Sequence, residues 1–113
     1  MTYDDNNIFA KILRAEIPCQ KIYEDDFVLS FHDINPQKKI HALVIPKGKY
    51  IDLDDFINNS SNEEMIGLLK GINTVAKKLK ISIENGKGYR ALTNIGNDGG
   101  QEVPHLHFHL FGG

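Results

Sequence analysis

Cysteine, excess positive charge and long apolar runs are all scarce in this chain, and each scarcity excludes something. The single cysteine, Cys19, cannot form an intramolecular disulfide, which suits a reducing compartment. It follows Pro18 in an expected turn and is read as a bystander. Thirteen basic against fifteen acidic residues give a net charge of -2, so no basic footprint argues for nucleic acid or an anionic membrane. No apolar run approaches the length of a membrane span, and Met1-Thr2-Tyr3-Asp4-Asp5 lacks the basic and apolar regions of a signal peptide. The expected location is cytoplasmic. There is no repeat and no low-complexity linker. The 113 residues, 41% hydrophobic and 25% charged, read as one domain spanning 1–113 with a real core.

Local patterns place the elements. Asn6 or Asn7 can cap a short helix whose apolar stripe is Ile8, Phe9, Ile12 and Leu13. Residues 21–23 and 27–33 read as strands around the turn Glu24-Asp25-Asp26, and Ala42-Leu43-Val44-Ile45 as a third, closed by Pro46. A long helix is expected over 62–80, opened by Ser61 and Glu64 as a capping box. Its apolar face would carry Met65, Leu68, Leu69, Ile72, Val75, Ala76 and Leu79. Gly67, Gly71 and Thr74 form a second, small-residue stripe, for which a close backbone, such as a partner helix across a dimer, is one explanation. Residues 89–94 read as a fourth strand. Strands on both sides of one good helix, with hairpin-length connections, indicate α+β with a mainly antiparallel sheet.

The chemistry concentrates at His105-Leu106-His107-Phe108-His109-Leu110. Side chains alternate across a strand, so three imidazoles would share one face while Leu106, Phe108 and Leu110 enter a core. An ordinary solvent face would more often carry Thr, Lys or Glu. Two functional readings stand. One is a metal site, completed by His41 or His32. The other is phosphoryl or nucleotidyl chemistry, in which a neutral imidazole attacks phosphorus. The glycine-rich loop Ile95-Gly96-Asn97-Asp98-Gly99-Gly100-Gln101 favours the second. Glycines let backbone amides approach phosphate oxygens, and Asn94 and Gln101 add amide donors.

The pattern His105-x-His107-x-His109 after Asp98-Gly99-Gly100-Gln101 resembles the histidine triad nucleotide-binding proteins. So do Ile8-Phe9-x-Lys11-Ile12, Glu16-Ile17-Pro18, Glu24-Asp25-Asp26, Phe31-His32-Asp33-Ile34-x-Pro36-Gln37, His41-x-Leu43-Val44-Ile45-Pro46-Lys47, Lys87-Gly88-Tyr89-Arg90 and Gly112-Gly113. The resemblance covers about Ile8 to Gly113. It implies a five-stranded, mainly antiparallel sheet with two helices, continued across a homodimer. It further implies a hydrolase of purine nucleoside 5'-phosphoramidates that works without a metal or other cofactor. By that resemblance His107 is the nucleophile and becomes nucleotidylated, His109 contacts the phosphate, His105 supports His107, and His41 completes the cluster. Asn94, Gly100, Gln101 and Val103 would line the α-phosphate, and Asp33 would hold the ribose hydroxyls. Ile8, Phe9, Ile12, Phe31 and Ile34 would wall the base pocket.

Three points separate this chain from the pattern. Glu102, counted with the nucleotide-binding residues, stands where relatives often carry a small hydroxyl residue; a carboxylate near phosphate is electrostatically awkward, so its side chain is expected to point away. Pro104 needs a position where no ladder hydrogen bond is required. Asn7 and Ala10 stand near where some relatives carry zinc-binding cysteines, which argues against that zinc site. The expected partners are a purine nucleoside monophosphate or phosphoramidate and a second copy of the chain. Two other readings remain: a dinucleoside polyphosphate hydrolase, and a nucleotide-binding regulatory module.

Overall fold

The computed structural model describes residues 2–113. The elements run α1 (Ile8–Leu13), β1 (Lys21–Glu24), β2 (Val28–His32), β3 (Ile40–Pro46), α2 (Leu53–Asn59), α3 (Asn62–Lys78), β4 (Arg90–Leu92) and β5 (Phe108–Gly112). All five strands form one antiparallel sheet in the order β1-β2-β3-β5-β4. The expected α+β class with a five-stranded antiparallel sheet is therefore observed. To the two expected helices the structure adds α2, which carries too few apolar residues for a clear periodicity. It forms because Asp52 caps the Asp55 amide and Phe56 is buried.

Local chemistry sets the ends. Asn7 caps α1 by accepting from the Ala10 amide. Asp25 accepts from the Phe27 and Val28 amides and from the Tyr23 hydroxyl, which fixes the β1–β2 turn. The capping box of α3 is present, Ser61 and Glu64 each bonding the other's amide at 3.1 Å.

The sheet has two different faces. On one, Val28, Ala42, Val44, Leu106 and Leu110 pack with Phe56, Leu68, Ile72 and Val75 of the two later helices. On the other, Leu29, Phe31, Leu43 and Ile45 meet Phe9 of α1. The small-residue stripe finds its partner inside the chain. A Cβ at Gly67 would stand 2.5 Å from Phe27 Cγ, and one at Gly71 would stand 2.7 Å from Val28 Cγ2. The two glycines thus let α3 lie close against the start of β2, which corrects the partner-helix explanation. Leu69 also departs from expectation: it is 67% exposed and outside the core face.

The histidine segment is only partly strand. β5 begins at Phe108, so His105 and His107 precede it. The ladder stops because tertiary contacts take its groups. The Pro46 carbonyl is taken by His105 Nε2, the Leu106 amide turns to Tyr50 O, and neither Pro46 nor Pro104 has an N–H to offer. The alternation survives nonetheless. Leu106 and Leu110 are buried on the helix-covered face. His107 and His109 line a cavity on the other.

Candidate active site

Register across the central strands assembles the site. Leu43 of β3 and Leu92 of β4 both pair with His109 of β5, while His41 and Arg90 pair with Phe111. These side chains share the face that α1 covers only at one end. There a cavity of about 420 Å³ is lined by Phe9, Asp33, Leu43, Leu92, Asn94, Gly100, Glu102, Val103, His107 and His109, with Gln37, Lys38, Arg90 and Phe111 also contributing.

The hydrogen bonds assign a tautomer to each imidazole of the cluster. His105 is fully buried; its Nε2–H donates to Pro46 O at 2.9 Å, and its Nδ1 accepts from the Tyr3 hydroxyl at 2.5 Å. His107 Nδ1–H donates to His105 O at 2.7 Å, so its Nε2 carries a lone pair. Among the described residues no group bonds that nitrogen. The Gln37 amide donates to His41 Nδ1 at 3.2 Å, so the proton of His41 sits on Nε2. It is shared with His109 Nδ1 at 2.9 Å, which leaves His109 Nε2 as an N–H donor. A free lone pair on His107 and a free N–H on His109 thus stand on adjacent rings, 5.0 Å between centroids.

The cluster is neutral. Burial pushes His105 and His109 down to about 4, His109 further disfavoured as a cation by the neighbouring His107 and His41. Burial also lowers His107 and His41, against the opposing pull of Asp33. Phe9 closes the wall, its ring 4.9 Å from that of His107.

Other expected site residues fall in varied places. Asp33 accepts from the Asn35 amide through Oδ1, and its Oδ2 lies 3.4 Å from His41 Nε2. Asn94 and Gly100 line the cavity, Asn94 with its amide spent on Gly99 O. Gln101 does not line it. Its side-chain N–H groups donate to Ile51 O and Val103 O, and its oxygen accepts from the Gly96 amide. The Gly100 and Gln101 amides also close the loop on itself. Among the described residues the Gly99, Glu102 and Val103 amides have no such partner. Glu102 lines the cavity rather than turning away from it.

Of the five expected base-pocket residues, only Phe9 lines this cavity. Phe31 is buried beneath Phe9, Ile12 packs on the same cluster, Ile8 is 42% exposed and Ile34 is 85% exposed. Ile34 follows the end of β2 in a bend, so strand alternation no longer governs its direction. His32 is exposed at the end of β2, outside the cluster. Cys19 is half-buried against the α1 side of the core, and burial raises its thiol pKa, in keeping with a bystander. Asp33, His41 and His109 each bring one ligand atom within 4.8 Å of the others, close enough for one metal ion to bridge. Sequence reasoning missed Tyr3, the Gln37 amide and Thr93, whose hydroxyl holds His107 O at 2.7 Å. Only tertiary structure brings these to the histidines.

Comparison with known proteins identifies the family and the fold. The HIT domain model matches residues 14–113. An uncharacterized 13.2 kDa HIT-like protein of Azospirillum brasilense is 52% identical over 112 residues, covering 99% of this chain and 89% of its own length. The HIT family hydrolase from Clostridium thermocellum is 42% identical with a TM-score of 0.87, over 97% of this chain and 92% of that one. A histidine triad nucleotide-binding protein from Candida albicans is 34% identical with a TM-score of 0.81, over 93% of this chain and 73% of that one. The chain belongs to the HIT domain family.

Proposed function

We propose that the protein is a metal-independent hydrolase of purine nucleoside 5'-phosphoramidates, with His107 as nucleophile. The observation that carries this reading is the tautomer pattern: His107 Nε2 is unprotonated, unpartnered among the described residues and next to a cavity, and its Nδ1–H is pinned to a carbonyl. The similarity to HIT family hydrolases and to a histidine triad nucleotide-binding protein supports it.

In the first step the His107 Nε2 lone pair forms a bond to the α-phosphorus. The phosphorus–nitrogen bond breaks, and the amine leaves with a proton from solvent water, the hydroxide so formed being neutralised by the proton released in the second step. The positive charge that develops on the ring is stabilised by His105 O at Nδ1–H. His109 Nε2–H donates to a phosphate oxygen. The Glu102 and Val103 amides add donors, while Asn94 and Gly100 bound the space. In the second step water attacks the nucleotidyl-histidine, releasing the nucleoside monophosphate and a proton and restoring neutral His107. Asp33 accepts from the ribose hydroxyls while restraining His41, and Phe9 flanks the nucleoside. Gln101 acts by bracing the loop. Ile8, Ile12 and Phe31 support Phe9. Ile34 reaches the base only if the bend after β2 closes over it. The protein acts as a homodimer in the cytoplasm.

The test is hydrolysis of adenosine 5'-phosphoramidate. Wild-type protein should turn it over with unchanged rate after chelation, and His107→Asn should bind nucleotide without turnover. Substantial hydrolysis by the variant would remove His107 as nucleophile. Loss of activity on chelation would favour a metal bridged by Asp33, His41 and His109.

A further inference from the structure

We propose that Tyr3 is a positioning residue for the nucleophile, acting through His105 to keep the His107 Nε2 lone pair in the cavity; this rests on the nucleophile reading above. The HIT domain match begins at residue 14, so Tyr3 lies outside the matched region.

The geometry is a clamp. The Tyr3 hydroxyl meets His105 Nδ1, and the two rings sit edge to face at 5.6 Å. Burial raises the phenol's pKa further, so it is protonated at neutral pH and donates. The opposite nitrogen of the same imidazole donates to Pro46 O. With both nitrogens engaged, the His105 ring is fixed between the N-terminal segment and the end of β3.

That matters because the His105 carbonyl is the acceptor for His107 Nδ1–H. His105 precedes β5, so its peptide unit is held outside the strand ladder, by the Leu106 amide donating to Tyr50 O at 2.8 Å and by the side-chain clamp on the His105 ring. Turning that carbonyl would free His107 Nδ1–H and let the ring rotate, or its tautomer exchange, carrying the lone pair away from the cavity. The segment bearing Tyr3 is itself strapped down. Lys49 Nζ pairs with Asp5 at 2.8 Å, Arg14 donates to Asp5 O at 2.8 Å, and the Asn7 side chain donates to Asp4 O at 2.7 Å.

The experiment compares wild type with Tyr3→Phe, which removes only the hydroxyl, by steady-state kinetics on adenosine 5'-phosphoramidate and by imidazole ¹⁵N NMR. Tyr3→Phe should lower kcat about tenfold or more, with KM within about twofold. The His107 Nδ1–H proton should exchange faster with solvent, and the His105 Nδ1 resonance should shift as it loses its donor. Unchanged kcat with an unmoved His107 signal would overturn the proposal. So would a lower melting temperature with normal kcat below the transition, because that is a structural role alone. The NMR signals need no substrate. Wild-type protein that fails to turn over the phosphoramidate, while Tyr3→Phe still releases the His107 proton, would sink the hydrolase reading and leave the positioning role standing.

Discussion

The two faces of one sheet are built from alternate residues of the same strands, yet they solve opposite problems. The face under α2 and α3 is closed: Val28, Val44, Val75 and Leu110 are fully buried, and even glycines are used to bring helix and sheet together. The face toward α1 is half closed. It buries His41, His105 and His107 but leaves a cavity between them and the glycine-rich loop. Burial on the first face supplies stability through apolar area. On the second it keeps imidazoles neutral and their protons in fixed places. Residues one position apart in sequence, such as His109 and Leu110, therefore belong to different energetic economies.

Substitutions that separate the two faces test this contrast. The largest expected effect is on activity: His107→Asn should lower turnover by at least about 10³-fold. Its stability cost should be smaller, on the order of 1 kcal/mol for the lost bond to His105 O. Chemical denaturation alongside kinetics would show the split. Leu110→Ala should reverse it, costing about 2–5 kcal/mol of stability by opening a cavity in the closed face, with turnover retained where the protein is folded. If the two variants lost stability and activity in the same proportion, the faces would not be separable.

A smaller effect should appear with pH. In the fold, burial holds His105 at about 4, against an ordinary value of 6.5. Between those values the unfolded chain binds more protons than the folded one, so stability is full above about 6.5 and falls as the pH drops toward 4. His105 alone should account for roughly 3 kcal/mol of that loss. Denaturant midpoints at pH 7 and pH 4.5 measure it. The lowered His107 value likewise places the acid limb of the rate profile below 6.5. Flat stability across that range would mean that the buried face tolerates charge.

Much of this arrangement is legible in the sequence, because alternation and capping are local. His105, His107 and His109 could be separated from Leu106, Phe108 and Leu110 by period alone, and Ser61 with Glu64 marked the start of α3. What resisted reading was set by tertiary contact. Whether β5 reaches His105 depends on the Pro46 carbonyl, 59 residues away in the chain. Gln101 looked like a phosphate donor by residue type, but Ile51 O claims its amide. Ile34 looked apolar enough to wall a pocket, yet it follows a strand end where the chain bends outward. Tyr3 gave no signal at all, since nothing near it in sequence shares its role. Glycines 67 and 71 did signal a close approach, but only the fold showed that the partner is the chain's own sheet.

The central claim is that His107 Nε2 forms a covalent bond to phosphorus. It is tested most directly by mixing the protein with adenosine 5'-phosphoramidate, quenching within a turnover and measuring intact mass, followed by peptide mapping. The account predicts a gain of one nucleotidyl group on His107 in the wild type, lost on further incubation in water, and no gain in His107→Asn. Turnover with no covalent species, or a nucleotidyl group found on any other residue, would contradict it.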